Sequence, residues 1–136
     1  MEVESSRDLV ALVKLLRRRG TDLPTVEVKA AGGGLPKSVR ETLSAFSNDR
    51  GGLLVLGLDE ASGFTPAHGF DAAKIRDDLA AACSDVMEPP VRADIQIEDV
   101  DGQPVVVAAV PEISPDTKPC YVKVKGITGG SYTRGG

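Results

Sequence analysis

Residues 41–59 read ETLSAFSNDRGGLLVLGLD, and this stretch decides the fold. Leu43 and Phe46, with Val39 one turn earlier, lie on one face of a helix that runs to about Ser47. Asn48 follows and is suited to closing that helix by bonding local backbone. Gly51 and Gly52 then permit positive φ and close backbone approach at the entry to a strand. Leu53 to Leu58 is a continuous apolar run, the pattern of a strand buried on both faces. Two acids, Asp59 and Glu60, close it.

The flanking sequence supplies the partners of that strand. Leu9, Leu12, Val13 and Leu16 recur at helical spacing over about residues 5–19, and Gly20 stops the helix. Lys14 and Arg17 to Arg19 crowd its last turns, where cations complement the helix dipole or meet phosphate. Thr25 to Ala30 alternates as a short strand, Gly32-Gly33-Gly34 breaks it, and Pro36 suits a first helical turn. Asp71 caps a further helix whose inward stripe is Ile75, Leu79, Ala82 and Val86, with Cys83 alongside; Pro89-Pro90 ends it. Ala93–Val100 and Pro104–Val110 read as strands joined by an Asp101-Gly102 hairpin turn. Tyr121–Lys125 and Ser131–Thr133 read as two more short strands around a Gly-rich turn. The order lacks a regular βαβ alternation. It predicts an α/β (α+β) fold, a small mixed β-sheet packed with about three helices.

Residues 1–136 are expected to form a single domain. The chain is 41% hydrophobic but 4% aromatic, with no Trp, so Val, Leu and Ala must build the core. No apolar run approaches the roughly 18 residues of a spanning helix. The start, MEVESSRDL, lacks the features of a signal peptide. A cytoplasmic protein without a membrane partner is expected, with Cys83 and Cys120 as reduced thiols. The single His68 sits in a Thr-Pro-Ala-His-Gly loop, which leaves no Cys/His zinc set and no flanking nucleophile motif.

Net charge is -4, yet its distribution is uneven. Residues 59–101 hold eleven acids against three bases, while residues 1–20 and 110–136 are basic. Separate acidic and basic faces permit local phosphate contact. The electrostatic footprint of a strong duplex binder is absent.

Gly32-Gly33-Gly34-Leu35-Pro36-Lys37-Ser38 has a Gly-rich loop, a helix start and a Lys-Ser pair. A P-loop needs Gly directly before the Lys, and Pro36 stands there instead, so P-loop ATP hydrolysis is not expected. Nucleotide binding ranks last among the readings.

Period-2 alternation in Val26-Glu27-Val28-Lys29 puts Glu27 and Lys29 on one strand face, as a solvated pair or as part of a site. Asp22 lies five residues before Glu27, and Asp59-Glu60 closes the next strand. Convergent carboxylates of this kind would bind Mg²⁺ or Mn²⁺ and activate water for phosphodiester cleavage. At the other end, Lys123 and Lys125 alternate with Val122 and Val124 and are expected on one strand face. Tyr121 and Tyr132 could stack on bases while those cations meet phosphates. The alternative is an exposed hairpin with charged edges.

Three motifs in this order, Thr25-Val26-Glu27-Val28-Lys29, Ala45-Phe46-Ser47-Asn48 with Gly51-Gly52, and Lys118-Pro119-Cys120-Tyr121 with Gly130-Ser131-Tyr132-Thr133-Arg134-Gly135, resemble the Schlafen AlbA-type domain (AlbA_2, formerly "divergent AAA") of bacterial transcriptional regulators. Ser47 replaces an Ala of the family pattern, and Gly135 replaces a hydrophobic residue. The resemblance implies a small mixed sheet, and a domain that forms the N-terminal part of a longer protein. The leading function is a nucleic-acid-binding module of a transcriptional regulator, with DNA or RNA as partner and no cofactor required. Its candidate contacts are Lys29, Arg50, Lys123, Lys125 and Arg134, with Tyr121 and Tyr132; Asn48, Gly51 and Gly52 are the structural motif. The enzyme alternative is a metal-dependent endoribonuclease of Schlafen type. The resemblance places its catalytic and metal-ligating acids on Asp22, Glu27 and Glu60, with Mg²⁺ or Mn²⁺. A third reading is a protein-interaction or homo-oligomerisation module.

Overall fold

The computed structural model describes residues 6–21 and 23–134. In chain order the elements are α1 (Ser6–Arg19), β1 (Val26–Lys29), α2 (Ser38–Asn48), β2 (Gly52–Leu56), β3 (Leu58–Asp59), β4 (Thr65–Pro66), α3 (Ala72–Ala81), β5 (Met87–Glu88), β6 (Asp94–Val100), β7 (Gln103–Val110), β8 (Tyr121–Val122) and α4 (Gly126–Gly130). Four strands form the main sheet in the order β1-β2-β7-β6. β1 runs parallel to β2, from Val26 opposite Leu53 to Lys29 opposite Leu56. The other two pairings are antiparallel, so the sheet is mixed as expected.

The β2 run explains the layers. Leu53 and Val55 face one cluster, built with Leu9, Leu12, Val13 and Leu16 of α1 and with Val26 and Val28 of β1. Leu54 and Leu56 face the opposite cluster, built with Leu43 and Phe46 of α2, Ile75 and Leu79 of α3, and Val106 of β7. A strand clothed on both faces needs apolar residues at every position, and this one has them. Fully burying a Val or Leu contributes about 1.5–3 kcal/mol, so the α1 stripe holds the helix more firmly than helix propensity does. Asp71 caps α3 as expected, its Oδ1 accepting from Lys74 N–H at 3.1 Å. The β6–β7 turn has φ of +52° at Asp101 and +78° at Gly102, as a two-residue hairpin requires.

Two expectations need correction. The apolar run does not form one strand to Leu58. It breaks at Gly57, φ +110°, where a Cβ would meet the Phe70 ring, and β3 turns away to pair with β4. The C-terminal strands are also mostly replaced. β8 is only Tyr121–Val122; a 3₁₀ turn at Lys123–Lys125 and α4 follow, and Ser131 makes a single bridge to Tyr121. Gly126 at φ +72° closes the 3₁₀ turn and opens α4. Lys123 and Lys125 therefore share no strand face. Among the described residues no helix is long and apolar enough to cross a membrane.

Candidate nucleic-acid interface

The C-terminal segment lies across β1 and α2 and closes on two anchors. The first is Arg134. Its Nη1 donates to Glu27 Oε1 at 2.6 Å, its Nε to the Pro24 carbonyl at 3.0 Å and its Nη2 to the Leu23 carbonyl at 3.4 Å. Its guanidinium stacks 4.9 Å from the Phe46 ring centroid. Lys29 Nζ stands 3.9 Å from the other Glu27 oxygen. Strand alternation puts Glu27 and Lys29 on the same half-buried face, with Val26 and Val28 buried behind it.

The second anchor is polar and sits on α2. Asn48 Nδ2 donates to the carbonyls of Cys120 (2.9 Å) and Tyr132 (3.0 Å), and its Oδ1 accepts from Cys120 N–H at 2.6 Å. Ser44, one turn earlier, donates to Cys120 O at 2.7 Å and accepts from Tyr132 N–H at 2.9 Å. Asn48 thus bonds distant backbone, not the local backbone expected of it. The helix is closed instead by Asp49 N–H on Ala45 O and Gly51 N–H on Phe46 O. Gly51 has φ +76° and a Cβ there would meet Val110 O at 2.7 Å; one on Gly52 would meet the buried Phe46 ring at 2.5 Å.

Around Glu27 lies an open cleft of about 270 Å³ lined by Lys29, Ser38, Glu41, Thr42, Tyr132 and Arg134. Lys29 and Arg134 meet there, both drawn to Glu27. The other candidates lie elsewhere. Arg50 lines a separate cleft of about 300 Å³ with Arg92 and Asp94. Lys123 is exposed on the 3₁₀ turn. Lys125 Nζ donates to the Tyr132 hydroxyl at 3.1 Å and sits 5.7 Å from that ring's centroid. Tyr121, half-buried in β8, pairs opposite Glu88.

Asp22 lies outside the described residues. Glu60 is exposed on a 3₁₀ turn and does not line the Glu27 cleft; Asp59 caps that turn through Ala61 N–H at 3.1 Å. Among the described residues no group of three or more His, Cys, Asp or Glu side chains could hold a metal ion. The described donors therefore do not by themselves fit a divalent cation.

The Schlafen AlbA_2 family model matches residues 23–136. The chain belongs to that family. It is also similar to the N-terminal domain of a protein from Nitrosomonas europaea named as related to the ATP-dependent DNA helicase RecG. There the identity is 33% and the TM-score 0.72, over 98% of this chain and 90% of that one. The DIP2311 protein of Corynebacterium diphtheriae shares the fold at 17% identity and TM-score 0.53, over 87% of this chain and 24% of that one. No curated protein matches the chain.

Sequence reasoning missed two residues of this AlbA_2 domain. Ser44 stands four residues before Asn48, so a polar pair one helical turn apart was its signal. Arg92 was one of three bases in an acidic segment, and only the fold reveals its neighbour. Burial disfavours the thiolate form of both cysteines. Burial pushes Cys83 up to about 11, with Cys120 nearby adding to the effect, and burial raises Cys120 too.

Proposed function

We propose that this AlbA_2 domain is a nucleic-acid-binding module, acting within a transcriptional regulator. The observation that carries the proposal is the similarity to the N-terminal domain of a RecG-related protein across nearly the whole of both chains. The distribution of cations supports it. Lys14, Arg18, Arg19, Lys37, Arg50, Arg92 and Lys123 are exposed, with no salt-bridge partner among the described residues. These are the side chains free to meet phosphate. Arg134 and Lys29 act differently: they are held at Glu27 and shape the cleft beside α2. An acidic chain with local basic points predicts modest, salt-sensitive affinity, not tight duplex binding.

The test is a fluorescence-anisotropy titration with labelled single-stranded RNA, single-stranded DNA and duplex DNA at two salt concentrations. Binding that weakens as salt rises, with probes intact, supports the reading. No binding to any probe overturns it and favours an interaction module. A second reading, RNA cleavage at Glu27, has one observation in its favour, that Glu27 lines an open cleft, and one against the three-acid site, that Glu60 lies outside that cleft. RNA cut in the presence of Mn²⁺, and left whole by Glu27→Gln, would establish it.

A further inference from the structure

We infer that Arg50 and Arg92 form a single-phosphate site at one end of the main sheet, which takes a phosphodiester of a polynucleotide backbone. This rests on the nucleic-acid reading and gives it a specific seat.

The topology brings the two arginines together. Arg50 stands two residues before Gly52, the first residue of β2, and Arg92 two residues before Asp94, the first of β6. Between those strands runs β7, whose end pairs Val110 with Gly52 and Ala109 with Asp94. Forty-odd residues apart in sequence, the two side chains line one cleft of about 300 Å³.

Their charge is uncompensated. Neither guanidinium has a salt bridge or side-chain hydrogen bond among the described residues. The other two bases of the acidic segment are both paired, Lys74 with Asp78 and Arg76 with Asp77. The one acid in the cleft is Asp94, whose Oδ2 already accepts from Gln96 Nε2 at 3.3 Å. Two guanidiniums against one carboxylate leave the concavity net positive. Like charges facing one hollow repel, and an anion between them relieves that repulsion. The guanidinium fork matches phosphate oxygens in pairs. Ala109, Val110 and Pro111 complete the lining and add no further charge. Asp94 limits the charge the site accepts, so one phosphate is favoured over a polyphosphate.

The test is a ¹H–¹⁵N NMR titration of the labelled chain that includes the arginine Nε–H region, first with inorganic phosphate and then with a short single-stranded oligonucleotide. Saturable shifts are expected at the Nε–H of Arg50 and Arg92 and at the Gly52 amide with both probes. Arg50→Ala/Arg92→Ala should abolish them and lower the salt dependence of oligonucleotide affinity by about one phosphate contact. Oligonucleotide binding with affinity and salt slope unchanged in that double variant overturns the site and leaves the nucleic-acid reading standing. Phosphate shifts confined to Arg18, Arg19 or Lys123 overturn it in the same way. No oligonucleotide binding by the parent chain overturns the reading, and this assignment with it.

Discussion

Asn48 and Cys120, 72 residues apart, are joined by a closed pair of hydrogen bonds: Cys120 N–H donates to Asn48 Oδ1 at 2.6 Å, and Asn48 Nδ2 donates to the Cys120 carbonyl at 2.9 Å. A carboxamide offers the same donor and acceptor as a peptide group. Asn48 therefore bonds Cys120 as the peptide group of a neighbouring strand would, just before β8 begins its own pairing with β5.

Replacing Asn48 should be costly. Asn48→Ala leaves the Cys120 N–H without its acceptor and removes the donor to two carbonyls. An unsatisfied buried group costs about 1–3 kcal/mol, so a loss of roughly 2–4 kcal/mol is expected. Asn48→Asp should be no milder, since a carboxylate cannot donate and would face carbonyl oxygens. Urea denaturation measures the loss, and amide exchange at Cys120 should accelerate. A variant within about 0.5 kcal/mol of the parent would show that the latch contributes little.

Ser47 predicts the opposite sign. Its hydroxyl is fully buried and has no hydrogen-bond partner among the described residues; the neighbouring Cys120 sulfur is a weak acceptor at best. Ser47→Ala removes a desolvated polar group and leaves a near-isosteric methyl. Stability should rise by about 0.5–1.5 kcal/mol, read as a higher thermal midpoint. A lower midpoint would mean that the hydroxyl has found a partner, the sulfur being the candidate.

The sequence disclosed the sheet better than the site. The apolar run Leu53 to Leu58 announced a strand covered on both faces, though it overran the strand's end at Leu56, and Asp101-Gly102 announced the hairpin, because these signals are local. The break at Gly57 was hidden, because the close approach of the Phe70 ring, which leaves no room for a side chain there, comes from thirteen residues away. Lys123-Val124-Lys125 alternates like a strand, yet among the described residues no strand pairs with it and it coils. Lys29 and Arg134 could be named from pattern. Their common attachment to Glu27 could not, since it depends on how the chain's last segment crosses β1.

The thiols give a pH dependence. Cys83 is raised from its ordinary value near 9 to about 11, first by burial and then by Cys120. In the unfolded chain the thiol ionises earlier, so between about 9 and 11 the folded state holds more protons. The contribution is complete below the unfolded value and is lost as pH rises through the folded one. The urea midpoint should therefore be flat near neutral pH and fall in the alkaline window. Cys83→Ala should lower stability at every pH through its cavity but flatten the alkaline slope. An unchanged slope would assign the alkaline loss to other groups.

Arg134 tests whether a motif cation binds ligand or binds the fold. It meets Glu27 at 2.6 Å in a site where both side chains are about four-fifths buried, and it adds two backbone carbonyls and the Phe46 ring. Such a cation has little left to give a phosphate. Arg134→Gln should cost roughly 1–3 kcal/mol, because it leaves Glu27 with only Lys29 at 3.9 Å. In a double-mutant cycle with Glu27→Gln the pair should couple by about 1–2 kcal/mol, most of the charge penalty vanishing when both go. Oligonucleotide affinity of folded Arg134→Gln should stay within about twofold of the parent, whereas Arg50→Ala should reduce it further. A strong loss of affinity in Arg134→Gln without loss of stability would reverse the assignment. It would make the Glu27 cleft, not the Arg50–Arg92 cleft, the seat of binding.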